Sequence, residues 1–366
     1  MKNIPLVSPI LGEDEKNILC AVIDSKIIAS GKYVADFEAA CANAWGAKFG
    51  IATSNGTTAL HAALIASGIG KGDEVLTTPF SFIATSNSIM FCGAKPVFAD
   101  IDSNTYNISA LNAEAVLKKR KSIKAILLVH LYGLPCDMDA FMKLKKKYGV
   151  KIIEDCAQAH GAKFNGKTVG SIGDAGAFSF YATKNMTTGE GGIVLTSNAL
   201  TDKTARSFIN HGRKGHSTHS ILGHNFRLTN LAAGIGLVQL AKLSEWNRKR
   251  RSNAEYLNNG LRGLSFISVP FVPEKCEHVY HQYTIRVKSG LRDKLTAHLS
   301  ANGVGAGIYY PYAIYRQEYY ARLGYKKGLC PEAEKAAKEV ISLPVHPALT
   351  QDDLAVIVNA VKSFKP

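Results

Sequence analysis

The sequence predicts an α/β protein: a large domain with a mainly parallel sheet covered by helices, then a smaller C-terminal α+β domain. Three observations carry that expectation. Between about residue 50 and residue 180, short apolar runs alternate with helical patterns of roughly ten to fifteen residues. Those runs are apolar throughout rather than at every second position, as strands buried on both faces are. Beyond about residue 229 the alternation gives way to one long helical stretch and then to an antiparallel pattern.

The elements follow in order. "GTTALHAALIASGIGKGD" (56–73) reads as a helix ended by glycines, and "EVLTTP" as a short strand. "FIATSNSIMFCG" is helical and "KPVFADID" is a strand; "SALNAEAVLKKR" is a capped helix feeding the buried strand in "IKAILLVHLYG" (123–133). "DMDAFMKLKKKYG" is a helix with Asp137 near its start and Gly149 at its stop. The strands "VKIIEDCAQ" (150–158) and "AGAFSFYA" (175–182) come next, and a single helix covers about 229–261. In the C-terminal part, "HVYHQYTIRV" (278–287) alternates like a half-exposed strand, and "RDKLTAHLSANG" and "DDLAVIVNAVKSF" are helices. The expected division is a large domain over 1–244 and a small one over 245–366.

Composition narrows the function classes. With 366 residues, 46% hydrophobic and 20% charged, the chain suits a soluble globular protein. "MKNIPLVSPILGEDEKN" turns charged too soon for a signal peptide, and the longest apolar run, "AILLVHLYGLP", is too short to span a bilayer. A cytoplasmic protein with no membrane partner is expected. Seven cysteines without a C-x-x-C pair read as reduced, mostly buried thiols. The histidines of "NHGRKGHSTHSILGHN" have no cysteine or acid at metal-site spacing, so no metal is expected. The net charge of +15 is densest in "KKRKSIK", "KLKKKYG" and "NRKRR"; the first two fall at helix ends, where a solvated face is the usual reason. No helix-turn-helix, zinc finger or aromatic-basic RNA motif accompanies them, so nucleic acid is not an expected partner. The same field would draw small anionic substrates.

Three stretches carry chemistry. "SNGTTALHAAL" puts Gly56 and Thr57 at a helix start, where free N–H groups and the helix dipole favour a phosphate. "VKIIEDCAQAHG" puts Asp155 at the mouth of a buried strand, a costly place for a carboxylate without a cationic partner, with Gln158 three residues on. "FSFYATKNMTTGEGG" puts Lys184 between a buried strand and a glycine-rich loop. Each alone has an ordinary explanation in a cap, an ion pair or a surface lysine. Together they are the parts that pyridoxal phosphate needs: a phosphate cradle, an acid for the pyridine nitrogen, and a desolvated amine for the aldehyde. Phe82 in "PFSFIAT" is a candidate to stack on the ring, and Ser179 to reach the phosphate.

The chain resembles the sugar aminotransferases of the DegT/DnrJ/EryC1/StrS group, fold-type I pyridoxal phosphate enzymes. The resemblance runs nearly end to end, through "TTPFSFIAT", "VFADIDSNTYNI", "VHLYGLPCDMD", "IIEDCAQAHGAKFNGKTVGSIGDAGAFSFYATKNMTTGEGG", "NHGR", "GHNFRLTNLAAGIGLVQL" and "SLPVHPAL". It implies that Lys184 forms the Schiff base, Asp155 partners the pyridinium and Gln158 contacts the ring or its phenolic oxygen. It implies phosphate contacts from Gly56, Thr57 and Ser179, stacking by Phe82, and Asn225 donated from a neighbouring subunit, hence a homodimer with shared active sites. The implied reaction moves an amino group from an amino acid donor, usually L-glutamate, to a keto group of a nucleotide-linked deoxysugar. Arg227 and Lys214 are candidates for that substrate's diphosphate. Tyr309, Tyr310 and Tyr312 match a stretch near the sugar pocket, or else pack between the domains. Cys156, His224 and Phe226 depart from the residues common at their positions, which bears on substrate choice. Relatives that act as sugar dehydratases carry histidine in place of the lysine, so Lys184 favours transamination. The alternatives are a cyclitol or other cyclic ketone as acceptor, a dehydratase, and a non-catalytic regulatory relative.

Overall fold

Each apolar run that reads as a strand before residue 180 enters one seven-stranded sheet in the computed structural model, which describes residues 3–215, 217–288 and 290–366. The spatial order is Phe49–Thr53, Gly192–Thr196, Ala175–Ser179, Lys151–Asp155, Ile123–Val129, Glu74–Thr77 and Lys95–Phe98. From Lys95–Phe98 to Ala175–Ser179 every pairing is parallel. Gly192–Thr196 is antiparallel to both its neighbours, so Phe49–Thr53 regains the common direction. The carboxyl ends of six strands therefore share one edge, where open α/β sheets bind ligands.

Successive side chains on a strand face opposite ways, and the central strands use both faces. Ile126, Leu128 and Ile152 join one core with Phe37, Trp45, Leu117, Phe141 and Leu243. Leu127 and Ile153 join the other with Leu60, Leu64, Ile89 and Phe208. Burial on both sides explains why these strands are apolar without alternation. Helix ends follow the sequence signals: Asp137 accepts from Ala140 N, and Gly149 at φ 68° stops Met138–Tyr148. Elements without a clear signal also appear, among them the helices Glu13–Asp24, Lys32–Trp45 and Ala199–Phe208.

The C-terminal part has its own three-stranded antiparallel sheet of Ile267–Ser268, Tyr283–Val287 and Val340–Leu343. Its core joins Ile285, Leu295, Leu299, Ile341, Leu354 and Ile357. The helix Asn230–Leu261 continues without a break through residue 244, giving Ala233 and Leu243 to the large core and Ala254, Leu257 and Leu261 to the small one. The stretch expected to be a half-exposed strand differs: only Tyr283–Val287 is strand, and residues 278–282 are irregular and buried. They pass between loops of the large sheet, which removes the solvent-facing side that alternation implies.

Candidate active site

The shared strand edge gathers most of the residues singled out above. Phe49–Thr53 ends just before the helix Gly56–Ala66, whose cap Asn55 accepts from Thr58 N at 2.9 Å. This leaves the first N–H groups of Gly56 and Thr57 free of intrahelical partners. Gly56 is needed for space: a Cβ there would fall 2.5 Å from Ser179 Cβ and 2.9 Å from its hydroxyl. Gly192 answers from the neighbouring strand, since a Cβ on it would meet the Asn55 carbonyl at 2.4 Å. The glycines thus bring a helix start, a strand end and a hairpin into one shallow cradle, with Ser179 at its rim.

Asp155 closes the strand Lys151–Asp155 and is 4% exposed. Thr85 Oγ1 donates to its Oδ2 at 2.8 Å and Ala157 N to its Oδ1 at 3.1 Å. Ser81 Oγ lies 2.9 Å from Thr85 Oγ1, extending the chain of hydroxyls. Burial raises the Asp155 carboxyl above its ordinary value, opposed by the Ala157 and Thr85 hydrogen bonds and the Lys184 charge. A desolvated carboxylate of this kind gains from a cation beside it.

Lys184 follows the strand Ala175–Ser179 in a turn closed by its N–H to the Tyr181 carbonyl at 2.9 Å. Burial lowers its amine to about 8, against the opposing pull of Asp155. The amine and the carboxylate therefore sense each other across one desolvated space. His160, on the loop after Asp155, donates Nε2–H to the Ser179 carbonyl at 2.8 Å, leaving Nδ1 buried without a partner among the described residues. Burial first, and Lys184 second, hold it neutral with a value of about 3.

Gln158 is pinned, its Oε1 accepting from Tyr132 N at 2.6 Å and its Nε2 donating to Tyr310 Oη at 3.0 Å. Tyr310 is thus brought to the site wall, where burial and then Asp155 push its hydroxyl up. Phe82 stands 57% exposed, its ring 6.2 Å from that of Tyr310. The Tyr132 hydroxyl donates to the Tyr309 carbonyl. Tyr312 is exposed.

The remaining candidates stand apart. Asn225 is exposed and bridges Asn210, and Arg227, also exposed, donates to the Asn210 side chain. The backbone beside them is tied to the cradle, because Ser54 N donates to the Phe226 carbonyl at 2.8 Å. Lys214 lies in an exposed two-residue ribbon with Thr218–His219. Sequence reasoning missed Thr85, Ser81 and His160, and one neighbouring cluster. There Glu154, facing away from Asp155, accepts from His130 at 3.0 Å and from the N–H groups of Gly170, Ile172 and Gly173. His130 Nδ1 in turn accepts from Cys136 N, so His130 and Glu154 form a hydrogen-bonded brace, with the Cys156 thiol within 4.8 Å of both.

The site defines a class before any comparison: a parallel-sheet enzyme with an amine of lowered proton affinity, a buried acid and a phosphate cradle. A profile of the DegT/DnrJ/EryC1/StrS aminotransferase family matches residues 9–362. The chain belongs to that family, and it is a pyridoxal-phosphate-dependent aminotransferase of fold type I. It is 42% identical over 350 residues to the pleiotropic regulatory protein of Geobacillus stearothermophilus, covering 95% of this chain and 93% of that one. It is 39% identical over 342 residues to the UDP-N-acetyl-3-dehydro-alpha-D-glucosamine 3-aminotransferase of Acidithiobacillus ferrooxidans, covering 93% and 91%. The fold matches DesV of S. venezuelae with a TM-score of 0.94 at 31% identity, over 99% of this chain and 98% of that one. It also matches a candidate sugar aminotransferase of Streptococcus pneumoniae in its PLP form, with a TM-score of 0.92 at 26% identity over 99% and 98%.

Proposed function

We propose that this aminotransferase moves an amino group from an amino acid, L-glutamate, to a keto group on a nucleotide-linked deoxysugar. The observation that carries the reading is the pairing of Lys184, its amine lowered to about 8, with the buried Asp155 beside a glycine-made cradle. Those residues fit pyridoxal phosphate. Gly56, Thr57 and Ser179 would hold its phosphate, Asp155 its ring nitrogen, Phe82 and Gln158 the ring, and Lys184 its aldehyde carbon. When bound, the cofactor supplies a ring that takes up negative charge from the carbon being deprotonated.

The protein's own groups do the rest. Lys184 Nζ takes the proton from the donor's α-carbon, and an amine near 8 is neutral often enough at neutral pH to do so. Asp155 keeps a proton on the ring nitrogen, which an amide could not do. Tyr310, tied through Gln158, closes one wall and limits water. The net charge of +15 favours an anionic diphosphate substrate. The acceptor class rests on the sugar-nucleotide name of the Acidithiobacillus relative. Asn225 would complete the phosphate site of a second copy in a homodimer; exposed Ile221 and Leu222 beside it offer apolar surface for that contact.

The regulatory name of the Geobacillus relative favours a second reading, in which the fold is kept for a non-catalytic role. One experiment separates these and the cyclitol alternative. With glutamate as donor, nucleotide keto-sugars and keto-cyclitols are supplied in turn, and 2-oxoglutarate is measured. Turnover with the keto-sugars, abolished by Lys184→Ala in a folded chain, is expected. Turnover with cyclitols alone would redirect the acceptor, and none with either would support the regulatory reading.

A further inference from the structure

The residue after Lys184 is fastened on three sides. Asn185 is 3% exposed, and its Nδ2 donates to Asn247 Oδ1 on the long helix at 2.9 Å and to the Val279 carbonyl at 3.1 Å. With both amide protons used, its Oδ1 can only accept, and His281 Nδ1 lies 3.2 Å away. The hydrogen-bond network thus assigns the imidazole proton to Nδ1 and a lone pair to Nε2.

His281 reaches this point because residues 278–282 are threaded into the large core. Val279 N donates to the Gly133 carbonyl at 3.1 Å and Gln282 N to the Tyr132 carbonyl at 3.2 Å. Arg250, 5% exposed in the long helix, donates from Nη1 to the Tyr280 carbonyl at 3.1 Å. Tyr280 itself is left-handed, at φ 45°. A Cβ on Gly133 would fall 2.8 Å from Val279 Cγ2 and 3.1 Å from His281 N, so only glycine admits the segment.

The ionisable groups acting on His281 are Lys184, Arg250, His160 and His278, none of them acidic; Asp155 acts on Lys184. Burial first, then the positive charges of Lys184 and Arg250, hold His281 well below the ordinary histidine value. A charged brace here would repel Lys184; a neutral donor can hold the backbone without adding charge.

We propose that His281, acting through Asn185, is a positioning residue for Lys184, a neutral brace by which the C-terminal part holds the catalytic amine in its desolvated pocket. The proposal rests on the reading of Lys184 as the cofactor-linking lysine. Without the brace, the backbone at 184–185 loosens, water reaches the amine, and its proton affinity climbs toward the ordinary lysine value.

The test follows capture of pyridoxal phosphate by the full-length chain stripped of cofactor, across a range of pH, with borohydride trapping and peptide mapping at residue 184. Capture by the unmodified chain is expected to rise with pH, with its midpoint near 8. In His281→Ala the midpoint moves up by about one unit, making capture near neutral pH about tenfold slower, and added imidazole restores it. His281→Gln, whose amide can still donate to Asn185, keeps the midpoint within a few tenths of a unit. A folded His281→Ala chain with the original midpoint overturns the proposal, because a merely structural residue would lower thermal stability without moving the midpoint. Should His281→Ala not fold, His281→Gln decides: a retained midpoint supports the brace, and a raised one overturns it. Trapping of the unmodified chain at another lysine removes the reading of Lys184 and the brace with it.

Discussion

Burial raises the Asp155 carboxyl and lowers the Lys184 amine, so one cause readies both groups. Each charged form is disfavoured alone and stabilised by the other, and the carboxylate also by a cationic ring. Asp155→Asn keeps the shape: its one oxygen can still accept from Ala157 N, and its amide can donate to the Thr85 hydroxyl, so cofactor content should stay near normal. Turnover should fall by about a hundredfold or more, since a preorganised charge at the reacting system is lost. Absorbance of bound cofactor and steady-state rates check this, and near-normal turnover would contradict the role given to the carboxylate. Asp155 and Lys184 were legible because a charged residue ending an apolar strand is conspicuous. Thr85 and Ser81 were not, since hydroxyls near a helix start read as caps. His281 and Arg250 hid for a similar reason: a histidine in an alternating run reads as surface, and an arginine inside "NRKRR" reads as solvated.

At the scale of elements, the cradle depends on how closely a helix start meets a strand end. Gly56→Ala places a methyl 2.5 Å from Ser179 Cβ, so one of the two backbones must move. Overpacking of this kind costs roughly 1–3 kcal/mol, which, taken up at the cradle, weakens binding of pyridoxal phosphate by about fivefold to 150-fold. Equilibrium titration of the stripped chain measures the Kd, and an unchanged value would mean that the phosphate sits elsewhere. The parallel strands were legible from their unbroken apolar runs, and the helices between them from caps and glycine stops. Gly192–Thr196 was not, because "TTGEGG" ahead of it reads as loop and five residues give periodicity little to work on. Its antiparallel course is nonetheless what returns Phe49–Thr53, and with it Gly56, to the common edge. The segment 278–282 misled for the opposite reason: its alternation is real, but tertiary packing covers both sides.

For the whole molecule, the proposed sharing of sites would make activity a property of pairs. In a homodimer that exchanges Asn225, co-refolded Lys184→Ala and Asn225→Ala chains should recover about one quarter of wild-type activity. Half the random dimers are mixed, and each of those has one intact site. Both parents should be poor catalysts, and sedimentation of the mixture should show a dimer. Activity no greater than the average of the parents would mean that each chain builds its own site. The charge of +15 was legible at once, but its division between helix ends and the buried Arg250 was not. The 32-residue helix Asn230–Leu261, about 48 Å long, runs through the expected domain boundary and is shared by two cores. It works as a girder rather than a hinge: loosening either core frays a beam that the other leans on, so the two ends of the protein stand or melt as one.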